Sequence, residues 1–218
     1  ALGRSNTSEG VNSSAMGSGN VSTGRNSVAT GTGNNSDAQN ATAVGIGNNV
    51  NTDARNGSAL GFQNTANGAQ SSALGFQNTA NGAHSSALGA GNLANGADSS
   101  AMGRANTAGA FNSSAVGAYN NAAATNSSAL GNQNTARGEN SSAVGFNNNA
   151  NGAHSTAVGA NTIANGENSV ALGNGAVADA DNSVAIGRDS QATRANTVSI
   201  GNGTTQRNLT NVADGTEN

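Results

Sequence analysis

An Ala–aliphatic–Gly triplet returns along almost the whole chain and sets its rhythm. Its glycines run from Gly3, Gly17 and Gly31 through to Gly173, Gly187 and Gly201. Thirteen of the 14 intervals between them are 14 residues long, and one, Gly45 to Gly61, is 16. Thr30 takes the aliphatic place once, and Ser199 takes the alanine place once. Counting from the glycine as position 0, position 3 is usually Asn (Asn64, Asn78, Asn92) and position 5 is usually Ala (Ala66, Ala80, Ala94). Position 7 is often Gly (Gly68, Gly82, Gly152), and positions 9 to 11 are small and polar, as in Asn140-Ser141-Ser142.

A period of 14 is two heptads, but a coiled coil needs two apolar positions in every seven and good helix formers between them. Each unit here has one large apolar position and two alanines, and Gly and Asn, both poor in helices, fill much of the rest. Strand logic fits. In Ser183-Val184-Ala185-Ile186-Gly187, alternation puts Val184 and Ile186 on one face and Ala185 on the other. A second short strand centres on the position-5 alanine. The Asn67-Gly68, Asn81-Gly82, Asn95-Gly96, Asn151-Gly152 and Asn165-Gly166 steps predict one turn, with a positive φ. The triplet glycine predicts the other. Two short strands and two turns per 14 residues make one coil of a parallel β-roll. About fourteen coils at the ~4.8 Å strand spacing give a rod of roughly 70 Å.

Composition alone points elsewhere. Val, Leu, Ile and Phe together supply 29 of 218 residues, fewer than the 39 asparagines, a balance normally seen in disordered chains. Strict phase over 200 residues overrides that reading. The net charge of −3 gives no electrostatic case for nucleic acid or an anionic membrane surface, and no apolar run approaches the ~20 residues of a membrane span. Cysteine is absent, which a hydrogen-bonded solenoid tolerates. The sequence opens in mid-pattern at Ala1-Leu2-Gly3, which reads as a piece of something longer.

One large aliphatic residue per coil is a thin core. Burying it contributes about 1.5–3 kcal/mol, whereas ordering each residue's backbone costs about 1–2 kcal/mol. The expected remedy is a second buried face against identical chains. The flat alanine row (Ala15, Ala29, Ala43, Ala59, Ala73) is the face this reading assigns to it.

Asn182-Ser183-Val184-Ala185-Ile186-Gly187 and Asn168-Ser169-Val170-Ala171-Leu172-Gly173 resemble the head repeat of the trimeric autotransporter adhesins, the YadA-like head. The stretch from Val198 to Thr216 resembles the family's neck, with Leu209 where the family usually has Ile and Asp214 where it often has Ala. The resemblance implies an all-β, left-handed parallel β-roll that is homotrimeric. Residues 1–197 would form the head, and residues 198–218 a neck leading to a coiled-coil stalk just past Asn218. It also implies a place on the bacterial outer membrane, with a C-terminal anchor not included in this sequence. The partners would be host extracellular-matrix proteins such as collagen, fibronectin or laminin, together with self-association. A structural spacer that holds a distal binding domain away from the cell is the alternative. An ice-binding roll fits less well, because the repeat positions hold Ser, Ala and Asn rather than rows of Thr.

No residue set suggests catalysis, a cofactor or a metal. His84 and His154, the two histidines, lie five coils or about 24 Å apart and read as exposed turn residues. The acids Asp37, Asp53, Asp98, Asp179, Asp181 and Asp189 have no calcium-loop spacing. The 16-residue interval reads as a two-residue turn insertion, or more sharply as a protruding ligand loop. Phe62, Phe76 and Phe146 share position 1, and Tyr119 sits at position 2. Corner packing is the plainer reading, but Phe62 and Phe76 would be the ligand contacts if exposed on adjacent coils. Arg207 resembles the family's neck arginine, and with Gln206, Asn208 and Asn211 it would hold the trimer neck.

Overall fold

The computed structural model describes residues 1–213. Among these the chain winds into coils, each giving a longer strand such as Ser72–Phe76 and a two-residue strand such as Thr79–Ala80. The longer strands form a 15-stranded parallel sheet and the short ones a 14-stranded parallel sheet. The pairing is that of a solenoid. Ser72, Ala73, Leu74, Gly75 and Phe76 pair with Ser86, Ala87, Leu88, Gly89 and Ala90 one coil later. The described residues between the two sheets form turns, bends and short irregular links, and none is helical.

The interior reverses the expected sidedness. Ala73, Ala87 and Ala101 of the long strands and Ala66, Ala80 and Ala94 of the short ones are completely buried, and they form the core. The aliphatic row points outward, with Leu88 38% and Leu130 48% exposed. The reason is the perimeter. A coil closed by about five residues at one corner and two at the other holds its sheets too close together for two facing Leu side chains, while two methyls fit. Alternation told which residues share a face, and residue size pointed to the wrong one.

Polar side chains complete this narrow core. The position-3 asparagines from Asn20 to Asn148 are buried and form a continuous ladder. Asn92 is representative: its Nδ2 donates to the Leu88 and Gly103 carbonyls, each at 2.7 Å, and lies 3.0 Å from Asn78 Oδ1. Its Oδ1 in turn accepts from the backbone and side-chain nitrogens of Asn106, both at 3.1 Å. Each amide therefore ties the corner of its own coil to the coils on either side, where alanine methyls contribute only about 0.8 kcal/mol apiece. At the opposite corner runs a buried serine row. Ser27, Ser113 and Ser127 donate to a corner carbonyl, whereas the Oγ atoms of Ser71, Ser85 and Ser99 have no partner.

The predicted Asn-Gly turn is present but differently built. The positive φ falls two residues after the glycine, at Gln70, His84, Asp98, His154 and Asn168. Gly68 and Gly82 are required instead by close stacking: a Cβ on Gly68 would stand 2.0 Å from the Gly82 carbonyl oxygen. The 16-residue coil keeps both sheets in register, Ala43 with Ala59 and Val50 with Ala66. The extra length is absorbed in the turn between Val50 and Ser58, where Thr52 and Asp53 are exposed. Val50 replaces the usual alanine and is fully buried, while Gly57 replaces the usual buried serine. A Cβ on Gly57 would lie 3.1 Å from Val50 Cγ1, so the larger residue and the smaller one compensate each other.

Candidate functional site

Three surface features follow from this architecture. The first is the outer face of the long-strand sheet. Alternate residues of each strand point out, so that face carries three parallel columns, seen in Ser72, Leu74 and Phe76. The central column is Met16, Val44, Leu60, Leu74, Leu88, Met102, Val116, Leu130, Val144, Val158, Leu172 and Ile186, broken once by Thr30. A long aliphatic stripe on a rod this poor in large apolar residues is the opposite of what solvation favours.

The second feature is the corner where that sheet ends. Ile46, Phe62 and Phe76 stand on three consecutive coils in one column. Phe62 is 37% and Phe76 48% exposed, and their rings stack with centroids 5.3 Å apart and planes within 7°. Both predicted ligand contacts therefore sit together on the surface. Further along the same corner Arg104 lies over the Tyr119 ring, its Cζ 5.2 Å from the centroid, and Phe146 is exposed. Between these groups Ala90 and Gly91 leave the column low.

The third feature is the end of the roll, where the last long strand is Val198–Ser199. Among the four predicted neck residues, Arg207 folds back onto its own chain. It donates to the Ser190 hydroxyl at 3.1 Å, the Arg188 carbonyl at 2.6 Å and the Ile200 carbonyl. Gln206, Asn208 and Asn211 are exposed. Asp214 and Thr216, part of the neck-like stretch, lie outside the described residues.

His84 and His154 lie at the opposite corner, both exposed and in left-handed turns. His84 Nδ1 is 3.0 Å from Asp98 Oδ1 on the next coil. Among the described residues no three His, Cys, Asp or Glu side chains gather in a way that would hold a metal ion. The sequence did not reveal the Asn ladders, which run in the core and also along this corner, where Asn112, Asn126 and Asn140 link amide to amide. The signal for them was present: an amide repeated at one phase of a roll stacks on its own copy.

Comparison with known proteins gives one family. The family model described as the YadA head domain repeat, two copies long, matches residues 1–20, 8–34, 22–48, 53–78, 66–92, 80–106, 108–134, 136–162, 164–190 and 178–204. Among solved structures, the collagen-binding domain of the Yersinia adhesin YadA is similar, at 28% identity over 70% of this chain and 77% of that one, with a TM-score of 0.46. No curated protein matches the chain.

Proposed function

Since the chain belongs to the YadA head-repeat family and is the head of a surface adhesin, we propose that it acts as a homotrimer on the bacterial outer membrane and binds host extracellular matrix. Collagen is the first candidate ligand, with fibronectin and laminin beside it. Residues 198–218 serve as the neck, in which Gln206, Arg207, Asn208 and Asn211 steady the junction with a coiled-coil stalk. Phe62 and Phe76 are contacts for the ligand. An adhesin of this kind does no chemistry.

The observation that carries the adhesin reading is the family match, which recurs along residues 1–204 and follows the coils. The aliphatic column supports the oligomer. Each of its residues contributes about 1.5–3 kcal/mol on full burial, and more than ten of them lie in line on a flat sheet. A second and third copy of the same face would cover them. Three heads on one axis would also present every ligand contact three times, and such multivalency raises avidity without any new contact.

Mass measurement in solution should give a trimer. Leu74→Asp combined with Leu130→Asp should convert it to folded monomers, because both side chains point away from the core. On surfaces coated with collagen, fibronectin or laminin, the natural trimer should bind and the monomeric variant should bind at least tenfold more weakly. A stable natural monomer would overturn the oligomer. Intact trimers that bind none of the three proteins would make the rod a spacer.

A further inference from the structure

The aromatic corner contains a stack with one layer missing. Going along the rod, the position-1 column reads Phe62, Phe76, Ala90, Arg104. Phe62 and Phe76 already stack on each other. Two coils beyond Phe76, Arg104 holds its guanidinium against Tyr119. The layer between them belongs to Ala90, whose methyl leaves most of it empty. The neighbouring corner residue is Gly91, with nothing within 4 Å of where its Cβ would be. The backbones that carry the two walls lie two strand spacings apart, about 9.6 Å, and the Arg104 guanidinium leans toward Tyr119 on the far side. That leaves room for one flat group at the stacking distance from each wall.

We propose that this slot, walled by Phe76 and Arg104 and floored by Ala90 and Gly91, binds an aromatic side chain of a partner polypeptide. An aromatic ring suits both walls. It continues the Phe62–Phe76 stack on one side, and its electron-rich face meets a cation on the other. The exposed Gln77, beside the slot and bonded to Gln63 at 2.9 Å, offers an amide to the backbone that carries the ring. A polypeptide is the source because the slot is open along the rod and covers only one ring. A free aromatic molecule would gain only the two wall contacts, whereas a chain adds contacts on the coils either side. One slot binds weakly and selects; three copies on a trimer supply the strength. The inference builds on the reading of Phe62 and Phe76 as ligand contacts, and its test uses no matrix protein.

The probe is a short peptide, acetyl-Gly-Ser-Tyr-Ser-Gly-amide, with acetyl-Gly-Ser-Ala-Ser-Gly-amide and N-acetyltyrosinamide as comparisons. Binding is followed by saturation-transfer NMR on the natural protein. Ring-proton saturation is expected with the tyrosine peptide and less with the free amide, and the alanine peptide, which has no ring, should show no saturation of its methyl protons. Ala90→Phe plugs the slot from within, and the same column already accepts Phe at positions 62 and 76, so this variant keeps the fold. It should lose at least tenfold in ring saturation, and Arg104→Ala should lose severalfold. Equal signals from natural protein and Ala90→Phe would overturn the proposal. So would a silent natural protein, including one in which a second copy of the chain covers the slot. Stronger binding of N-acetyltyrosinamide than of the peptide would overturn the polypeptide source. Loss of collagen binding with this signal intact would strike only the matrix reading.

Discussion

Asn92 and Ser85 are both fully buried polar residues of the same narrow core, yet their removal should have different consequences. Asn92 bonds to three coils at once. Asn92→Ala removes the side-chain donor to the Leu88 and Gly103 carbonyls and the acceptor of the Asn106 amide, and leaves Asn78 Oδ1 only the Asn92 backbone N–H, at a cost on the order of 3 kcal/mol. Ser85 Oγ has no partner. Ser85→Ala exchanges an unsatisfied hydroxyl for a hydrogen and should leave stability unchanged or slightly raised. Denaturant midpoints of the two variants against the natural chain measure this, and an Asn92→Ala midpoint equal to that of Ser85→Ala would show that the ladder does not hold the coils. The contrast was half legible in the sequence. The recurrence of Asn at position 3 was plain, but an amide at a corner looks like turn chemistry until its neighbours one coil away are known. The same ambiguity misplaced the left-handed residue, because Gln70 and His84 are not residues that announce a positive φ.

At the scale of the coil, alternation and period were enough to fix two strands, parallel pairing and a 14-residue register. They could not say which side of the strand is inside, because period 2 is symmetric to inversion. Only the closeness of the two sheets decides that, and closeness comes from the turns. The long coil makes the point from the other direction. Its wider turn between Val50 and Ser58 is where a valine enters the core. Deleting Thr52 and Asp53 restores the ordinary length but forces Val50 into an alanine-sized space, at a cost of about 1–3 kcal/mol. Deleting them together with Val50→Ala and Gly57→Ser rebuilds an ordinary coil and should recover that loss. Thermal midpoints of the two deletion variants test the coupling. If they are equal, the valine and the insertion are independent, and the extra turn length serves something other than the core.

For the molecule as a whole, each coil touches only its neighbours, so stability is propagated along the rod and its ends are the weak points. Arg207 bears on one of them. In an interior coil the position-3 amide donates to the carbonyl four residues earlier and reaches the ladder residue one coil back, as Asn92 does with Leu88 and Asn78. At the end of the roll the residue in that phase is Thr204, which bonds locally to Asn202 instead. Arg207 Nη1 occupies the vacated role, donating to the Ile200 carbonyl and to Ser190, the position-3 residue of the preceding coil. Its Nη2 adds the Arg188 carbonyl. A guanidinium thus makes, at the end of the roll, the contacts that a position-3 asparagine makes inside the ladder, and it closes the stack. Arg207→Ala should therefore fray the roll locally. The amides of Gln191, which donates to Gly201, and of Val184, which donates to Thr197, should exchange at least tenfold faster. The amide of Leu93, bonded to Asn106 seven coils away, should be unchanged. Hydrogen exchange read by mass spectrometry distinguishes the outcomes. Faster exchange along the entire rod would mean that Arg207 holds the assembly of chains rather than the end of one, and no change near Val184 would mean that the guanidinium caps nothing.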